Sequence, residues 1–365
     1  MPLEEVICLR RAALILLSLL SVLLVSSATA QEGWTCPEGF EGQTLSVYNW
    51  STYIAEDTIS NFEELCGVRV VYDTYPTDDD MLVRLRQGNP GFDVVVPSDV
   101  VATLMITEGL LAELDHANIP NLANVDDTFL DLPFDAGNTY TVPYQWGTTG
   151  IGYNTERVPE VDSWSDLFEH DGPVAWLADT TQMLGVALIL TGHDPNSSDP
   201  EELDEAKQFL IDNGQNVVYI AGDDGQEMLV RGEVDMVIEY SGDIFQVMDE
   251  CECDTYAYVI PEEGANFWVD SLAIPAGAPN KALAEAFIDY ILDPQVGADI
   301  SNYTAYGTPN QAALEMGLID EELADDPGIY PGPQTRERLF FAEQDEQREA
   351  LLNEAWDEIR IFVGR

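Results

Sequence analysis

Phe267-Trp268-Val269-Asp270-Ser271-Leu272-Ala273-Ile274-Pro275 carries the alternation of a β-strand, which puts Trp268 and Asp270 on the same face. An indole face attracts positive charge, and a neighbouring carboxylate accepts the hydrogen bonds of an ammonium group. The pair suits an organic cation. It is equally compatible with a core Trp beside an Asp that caps a turn, so the rest of the chain must decide.

Upstream, strands and helices alternate. Residues 45–49 read as a strand. Residues 55–66 read as a helix, with Ile59, Phe62 and Leu65 on one stripe and Gly67 as its stop. A strand at 68–73, a helix carrying Met81, Leu82 and Leu85, an apolar strand at 92–96 and a helix with Leu104 and Ile106 follow. This order predicts an α/β fold on a parallel sheet, with ligands beyond the carboxyl ends of the strands. The loops at those ends carry Trp50-Ser51-Thr52-Tyr53 and Pro97-Ser98-Asp99.

Residues 112–139 read as loop, and 140–154 as an extended crossing between two lobes. The glycines of that crossing, Gly147, Gly150 and Gly152, lack dinucleotide-loop spacing. Strands are then expected at 174–177, 216–220 and 234–240, with helices at 181–190, 200–213 and 225–232, and 256–260 leads into the strand that carries Trp268. Ser241-Gly242-Asp243 follows a strand and opens another helix. Residues 279–301 read as one long helix, and 334–361 as mostly helical and acidic.

The chain has 365 residues, enough for two domains, and is 45% hydrophobic. Its formal net charge is −54, and Lys207 and Lys281 are its only lysines. Such a surface repels a phosphate backbone and excludes nucleic acid as a partner. Most of the acids read as a solvated, salt-tolerant surface, and only a few can touch a ligand.

Arg10-Arg11, an apolar run at 12–25 and Ala28-Thr29-Ala30 read as an export signal over residues 1–30, with Gln31 first after cleavage. An uncleaved anchor is the alternative. Residues 31–43 read as a flexible lead. Cys36, Cys66, Cys251 and Cys253 are then an even set in an oxidising compartment, with their pairing open.

No catalytic set emerges. His116, His170 and His193 lack metal-ligand spacing, and no P-loop, H-E-x-x-H or G-x-S-x-G is present. No cofactor or metal is expected. Asp194 to Asp199 with Glu205 faintly resembles a calcium loop, but it lacks the sixth-place glycine, and Ser198-Asp199-Pro200 reads as a helix start. What converges is a set of aromatics, Trp50, Tyr53, Tyr240, Trp268 and Tyr306, with Asp179, Asp243 and Asp270, all near strand ends or turns. Singly each is more often core, cap or surface. Together they suit methylenes strung between ammonium groups.

Five landmarks in order, Tyr48-Asn49-Trp50-Ser51, 93–98, 142–147, 268–275 and Thr308-Pro309-Asn310, resemble the spermidine/putrescine-binding periplasmic proteins of polyamine ABC transporters. The resemblance covers residue 45 to the C-terminus. It implies a two-lobed type II periplasmic-binding-protein clamshell, with lobe 1 at 44–147 and 269–313 and lobe 2 at 148–268 and 314–365. It implies a monomer that captures putrescine or spermidine outside the cytoplasmic membrane and delivers it to a membrane ABC permease, without being an enzyme. Another small organic cation or an amino-acid-like ligand is the alternative. Trp50, Tyr53, Tyr240, Trp268 and Tyr306 then match pocket aromatics, Ser51 and Ser98 polar contacts, and Asp179, Asp243 and Asp270 amine-binding acids. Thr52 and Gln182 stand where the family often has acids, and Val100 where it often has Tyr. That leaves fewer partners for a third ammonium and leans toward a diamine or a shifted triamine pose, with Glu343 a loosely aligned replacement.

Overall fold

The structure is a computed structural model that describes residues 33–363 apart from 223, 252, 344 and 345. The export-signal reading lies outside the described residues. From Thr35 onward the lead is fastened, where the sequence suggested flexibility: Cys36 is disulfide-bonded to Cys66, and the Gly42 amide donates to Gly67 O at 2.8 Å. The second bond joins Cys251 and Cys253.

The described strands are β1 (Thr44–Trp50), β2 (Arg69–Tyr75), β3 (Val94–Val95), β4 (Thr141–Asn154), β5 (Val174–Leu177), β6 (Val217–Ala221), β7 (Met236–Tyr240), β8 (Tyr256–Val259), β9 (Ala265–Ala273) and β10 (Leu339–Phe340). Their order is β2-β1-β3-β9-β4-β7-β5-β6, with β8 on β4 and β10 on β9. Pairing is parallel among β1, β2 and β3 and among β5, β6 and β7. The expectation of a parallel sheet therefore holds within each half only. Strand β4 runs antiparallel to β9 over Thr141–Thr148 and antiparallel to β7 over Thr149–Tyr153, so one long strand stitches two parallel sheets together.

Apolar side chains explain the layers. Leu45, Val47, Val94, Val95 and Val96 are almost fully buried, as strands covered on both faces must be. One cluster packs Tyr75, Met81, Leu82, Leu85 and Met105 beside the first sheet, and a larger one gathers Trp164, Trp176, Leu184, Leu188, Leu210 and Ile359 beside the second. The helix Thr58–Cys66 ends at Gly67, whose φ of 63° is a left-handed conformation that glycine adopts without strain.

One helical expectation needs correcting, and another holds over most of its length with a short strand inside it. Residues 279–301 form two helices, Lys281–Ile291 and Pro294–Thr304. Pro294 lacks an N–H and cannot continue the first, whereas Asp293 caps the second by accepting from Gln295 N. The acidic end is helical only over Pro333–Arg336 and Glu346–Val363, because Leu339 and Phe340 add β10 alongside Ala265 and Asn266. Asp199 caps the helix Pro200–Asn213 as its sequence position implies. The three histidines bind polar neighbours outside the main cavity: His116 meets Asn138 O, His170 meets Asp235, and His193 meets Glu202 and Glu205.

Candidate functional site

The carboxyl ends of the parallel strands converge on one cavity of about 130 Å³. Trp50, Ser51, Thr52 and Tyr53 follow β1, Ser98 follows β3, Asp179 follows β5, and Tyr240 ends β7, opening the helix that carries Asp243. Trp268 and Asp270 come from the face of β9, Gln182 from the helix after Asp179, and Tyr306 from the turn after Thr304. All eleven candidate side chains thus line a shared space, although they span 257 positions of sequence, from 50 to 306.

The aromatic wall is continuous. Tyr240 meets Trp268 edge-on at 5.6 Å, Trp268 meets Tyr306 at 5.2 Å, and Tyr306 meets Tyr53 at 5.2 Å. Trp50 is held by its indole N–H, which donates to Val96 O at 3.0 Å. Two glycines allow this packing. A methyl group on Gly147 would lie 2.6 Å from Cζ2 of Trp268, and one on Gly242 would lie 2.6 Å from the Tyr306 ring. Thr52 sits at φ 46°, an unusual conformation for a β-branched residue, within the lining turn.

The acids occupy helix starts. Asp78 and Asp99 begin the helices Asp78–Arg86 and Asp99–Thr107, and Asp243 is in the first turn of Ser241–Cys251. Asp179 and Ser98 are N-caps, accepting from Gln182 N at 2.9 Å and Val101 N at 3.4 Å. Helix N-termini carry partial positive charge, which helps hold carboxylates here. Asp179 is therefore both a cap and a lining residue, and its other oxygen faces the Tyr240 hydroxyl at 3.5 Å. Asp78 accepts a short hydrogen bond from the Ser98 hydroxyl.

Sequence reading missed Asp78, Asp79 and Glu349, and it placed Asp99 on a candidate loop without giving it a role. All four line the cavity. The run Asp78-Asp79-Asp80 after the N-cap Thr77 is a common way to start a helix, so only its position after the end of β2 marked it. Glu343 is not the replacement acid. Its amide binds Asn196 Oδ1 away from the cavity, and Glu349, on the helix that follows, reaches the lining instead.

With these additions the lining contains, among the described residues, seven acids, Asp78, Asp79, Asp99, Asp179, Asp243, Asp270 and Glu349, and no Lys, Arg or His. Among the described residues, no base forms an ion pair with Asp78, Asp99, Asp179 or Asp270. Enclosure pushes the Asp99 carboxyl up to about 8, eased by the Val100 and Val269 backbones and raised further by Asp78 and Asp179. It pushes Asp78 up to about 7, eased by the Ser98 hydroxyl, and Asp179 up to about 6, eased by the Gln182 amide. Asp78 and Asp179 keep some surface open to the cavity, so water tempers their shifts more than that of Asp99. Burial also raises Asp270 strongly, with Asp78 adding to it and the Tyr53 hydroxyl opposing it. A cation in the cavity would return all four toward the ionised form.

The halves touch across the mouth. Arg86 lies 3.6 Å from Glu349, and a methyl group on Gly222 would lie 3.4 Å from Pro76 O.

Residues 57–331 match the model of the bacterial extracellular solute-binding protein family. The chain is 33% identical over 341 residues to the putrescine-binding periplasmic protein SpuD of Pseudomonas aeruginosa, covering 88% of this chain and 92% of that one. It is 34% identical over 318 residues to the spermidine/putrescine-binding periplasmic protein of Escherichia coli, covering 86% and 90%. A crystal structure of the spermidine/putrescine ABC transporter substrate-binding protein PotD from Streptococcus pneumoniae superposes with a TM-score of 0.75 at 30% identity, covering 88% of this chain and all of that one. The fold is the type II clamshell, two α/β halves joined by crossing strands with the cavity between them. The chain belongs to the bacterial extracellular solute-binding proteins.

Proposed function

We propose that this protein captures a linear polyamine, putrescine or spermidine, outside the cytoplasmic membrane and presents it as a monomer to a membrane ABC permease. The observation that carries the reading is a cavity lined by seven acids and an unbroken aromatic wall, with no basic side chain. Ammonium groups would take the carboxylates, and the methylenes between them would lie on the rings. The relatives that match most of the chain are named for putrescine and spermidine and are periplasmic transport proteins, which supports binding in place of catalysis. An amino-acid-like ligand fits less well, because its carboxylate would meet no base in the lining.

Closure would bring residues 44–147 and 269–313 against 148–268 and 314–365, hinged where β4 and β9 cross, with the ligand favouring the closed form. Isothermal titration of residues 31–365 with putrescine, spermidine, cadaverine and γ-aminobutyrate tests this. Polyamine binding at micromolar concentration or tighter is expected, with none for γ-aminobutyrate. A chain that gives no heat with any polyamine is not a polyamine-binding protein.

A further inference from the structure

We infer that Asp78 and Asp99 form an additional ammonium station in the cleft, so that the preferred ligand is a triamine and not a diamine. This rests on the polyamine reading above. The two side chains begin neighbouring helices, Asp78–Arg86 and Asp99–Thr107, and both line the cavity. Their surroundings are incomplete in a particular way. Asp99 is only 2% exposed, and its Oδ1 accepts from Val100 N at 2.7 Å. Its Oδ2 makes no hydrogen bond, although the Val269 backbone lies close enough to ease the charge. Gln182, also in the lining, is 7% exposed with Oε1 likewise unpartnered. Buried acceptors without donors are costly, and a carboxylate costs most.

Among the described residues neither acid has a counter-ion. Ser98 holds Asp78 with its hydroxyl, a neutral donor that orients the carboxylate without neutralising it. Asp78 and Asp99 each feel the charge of Asp179, and Asp78 also raises Asp99. An R–NH₃⁺ group supplies what is lacking: up to three N–H donors and one positive charge. A single metal ion is a poorer match, because no group of three His, Cys, Asp or Glu among the described residues is arranged to hold one. Asp270 with Trp268 and Tyr53 serves one amine, and Asp179 beneath Tyr240 suits a second. Asp243 has the Tyr306 hydroxyl as a partner, so the Asp78–Asp99 pair is what remains for the third amine of a triamine.

Titration calorimetry of wild type, Asp99→Asn and Asp78→Asn with spermidine and putrescine decides it. Wild type is expected to bind spermidine at least ten-fold more tightly than putrescine. Each variant should lose at least ten-fold more affinity for spermidine than for putrescine, collapsing that preference. Asp99→Asn leaves the Ser98 bond intact, and thermal melting of both variants separates lost binding from lost fold. A wild type that prefers putrescine, or variants that keep the spermidine preference, overturns the inference while leaving polyamine capture standing. A wild type that binds neither amine removes the underlying reading as well.

Discussion

The two sides of the cleft are built on different elements. One side is carried by strands and a turn: Trp268 and Asp270 on β9, Tyr240 at the end of β7 and Tyr306 beyond the helix Pro294–Thr304. The other is carried by helix starts: Asp78, Ser98, Asp99 and Asp179. The strand side is aromatic and closely packed, its ring packing guarded by Gly147 and Gly242. The helix side is polar and electrostatically loaded, with carboxyls that enclosure raises toward neutrality, Asp99 the most, and that a cation would return to the ionised form. The strand side fixes where an alkyl amine lies, and the helix side sets how many charges it must carry.

The largest effect is expected on the strand side, at the residue that combines both features. Asp270→Asn should weaken polyamine binding by ~2–4 kcal/mol, because a desolvated ammonium loses its ionic partner. Calorimetry against spermidine and putrescine measures it. A loss below about five-fold for both amines (under about 1 kcal/mol) would place the key charge elsewhere. Trp268→Ala should follow, at roughly ten- to fifty-fold (about 1.4–2.3 kcal/mol) through the lost cation–π face and apolar wall. The cooperative melt should survive, since the indole packs against the cavity, Gly147, Tyr240 and Tyr306 and not in the deeper core of either sheet.

The helix side should reveal itself through pH. Asp78, Asp99 and Asp179 have carboxyls raised to about 7, 8 and 6, with Asp79, Asp270, Tyr75 and Tyr240 nearby. Between about pH 4 and 8 the empty folded chain then binds more protons than the unfolded one, so its stability falls as pH rises through that window. Surface acids of ordinary pKa are already ionised above about pH 5.5 and add little slope. Melting temperature without ligand should therefore drop from pH 5.5 to 8.5, and spermidine affinity should climb over the same range, by up to about ten-fold per unit for each proton displaced. Asp99→Asn should flatten both curves. Equal slopes in variant and wild type would mean these carboxyls titrate normally and the sides do not differ in this way.

The contrast also explains what could be read without coordinates. Trp268 and Asp270 were legible because a period of two assigns side chains to faces from local sequence alone. Trp50, Asp179 and Tyr240 were legible because strand ends in α/β folds are where ligands collect. Asp78 and Asp99 were not, since an acid in a helix first turn has a sufficient local explanation in the helix dipole. Only long-range packing shows that two such starts border a space without a base. The break at Asp293-Pro294 was present in the sequence as an N-cap followed by a proline, yet the apolar stripe of Leu283, Phe287 and Ile291 masked it. Strand β10 is two residues long and owes its existence to its partner β9, so no local pattern announces it.

The smallest effect should come from the rim where the two halves touch. Arg86, at the end of the helix that Asp78 begins, also binds Glu108 with its guanidinium, at 3.0 Å from Nε to Oε2. Its link to Glu349 is longer, at 3.6 Å, and both side chains are partly exposed. Such a pair is worth about 0–1 kcal/mol and is screened by salt. Glu349 also lines the cavity, so replacing it removes a distant charge as well as the link. Glu349→Gln should thus weaken spermidine binding by less than about five-fold, and the deficit should shrink as ionic strength rises. Titrations at low and high salt measure it. A loss as large as that of Asp270→Asn would make Glu349 a direct amine ligand, and the division between an aromatic strand side and a charged helix side would then have to include the mouth of the cleft.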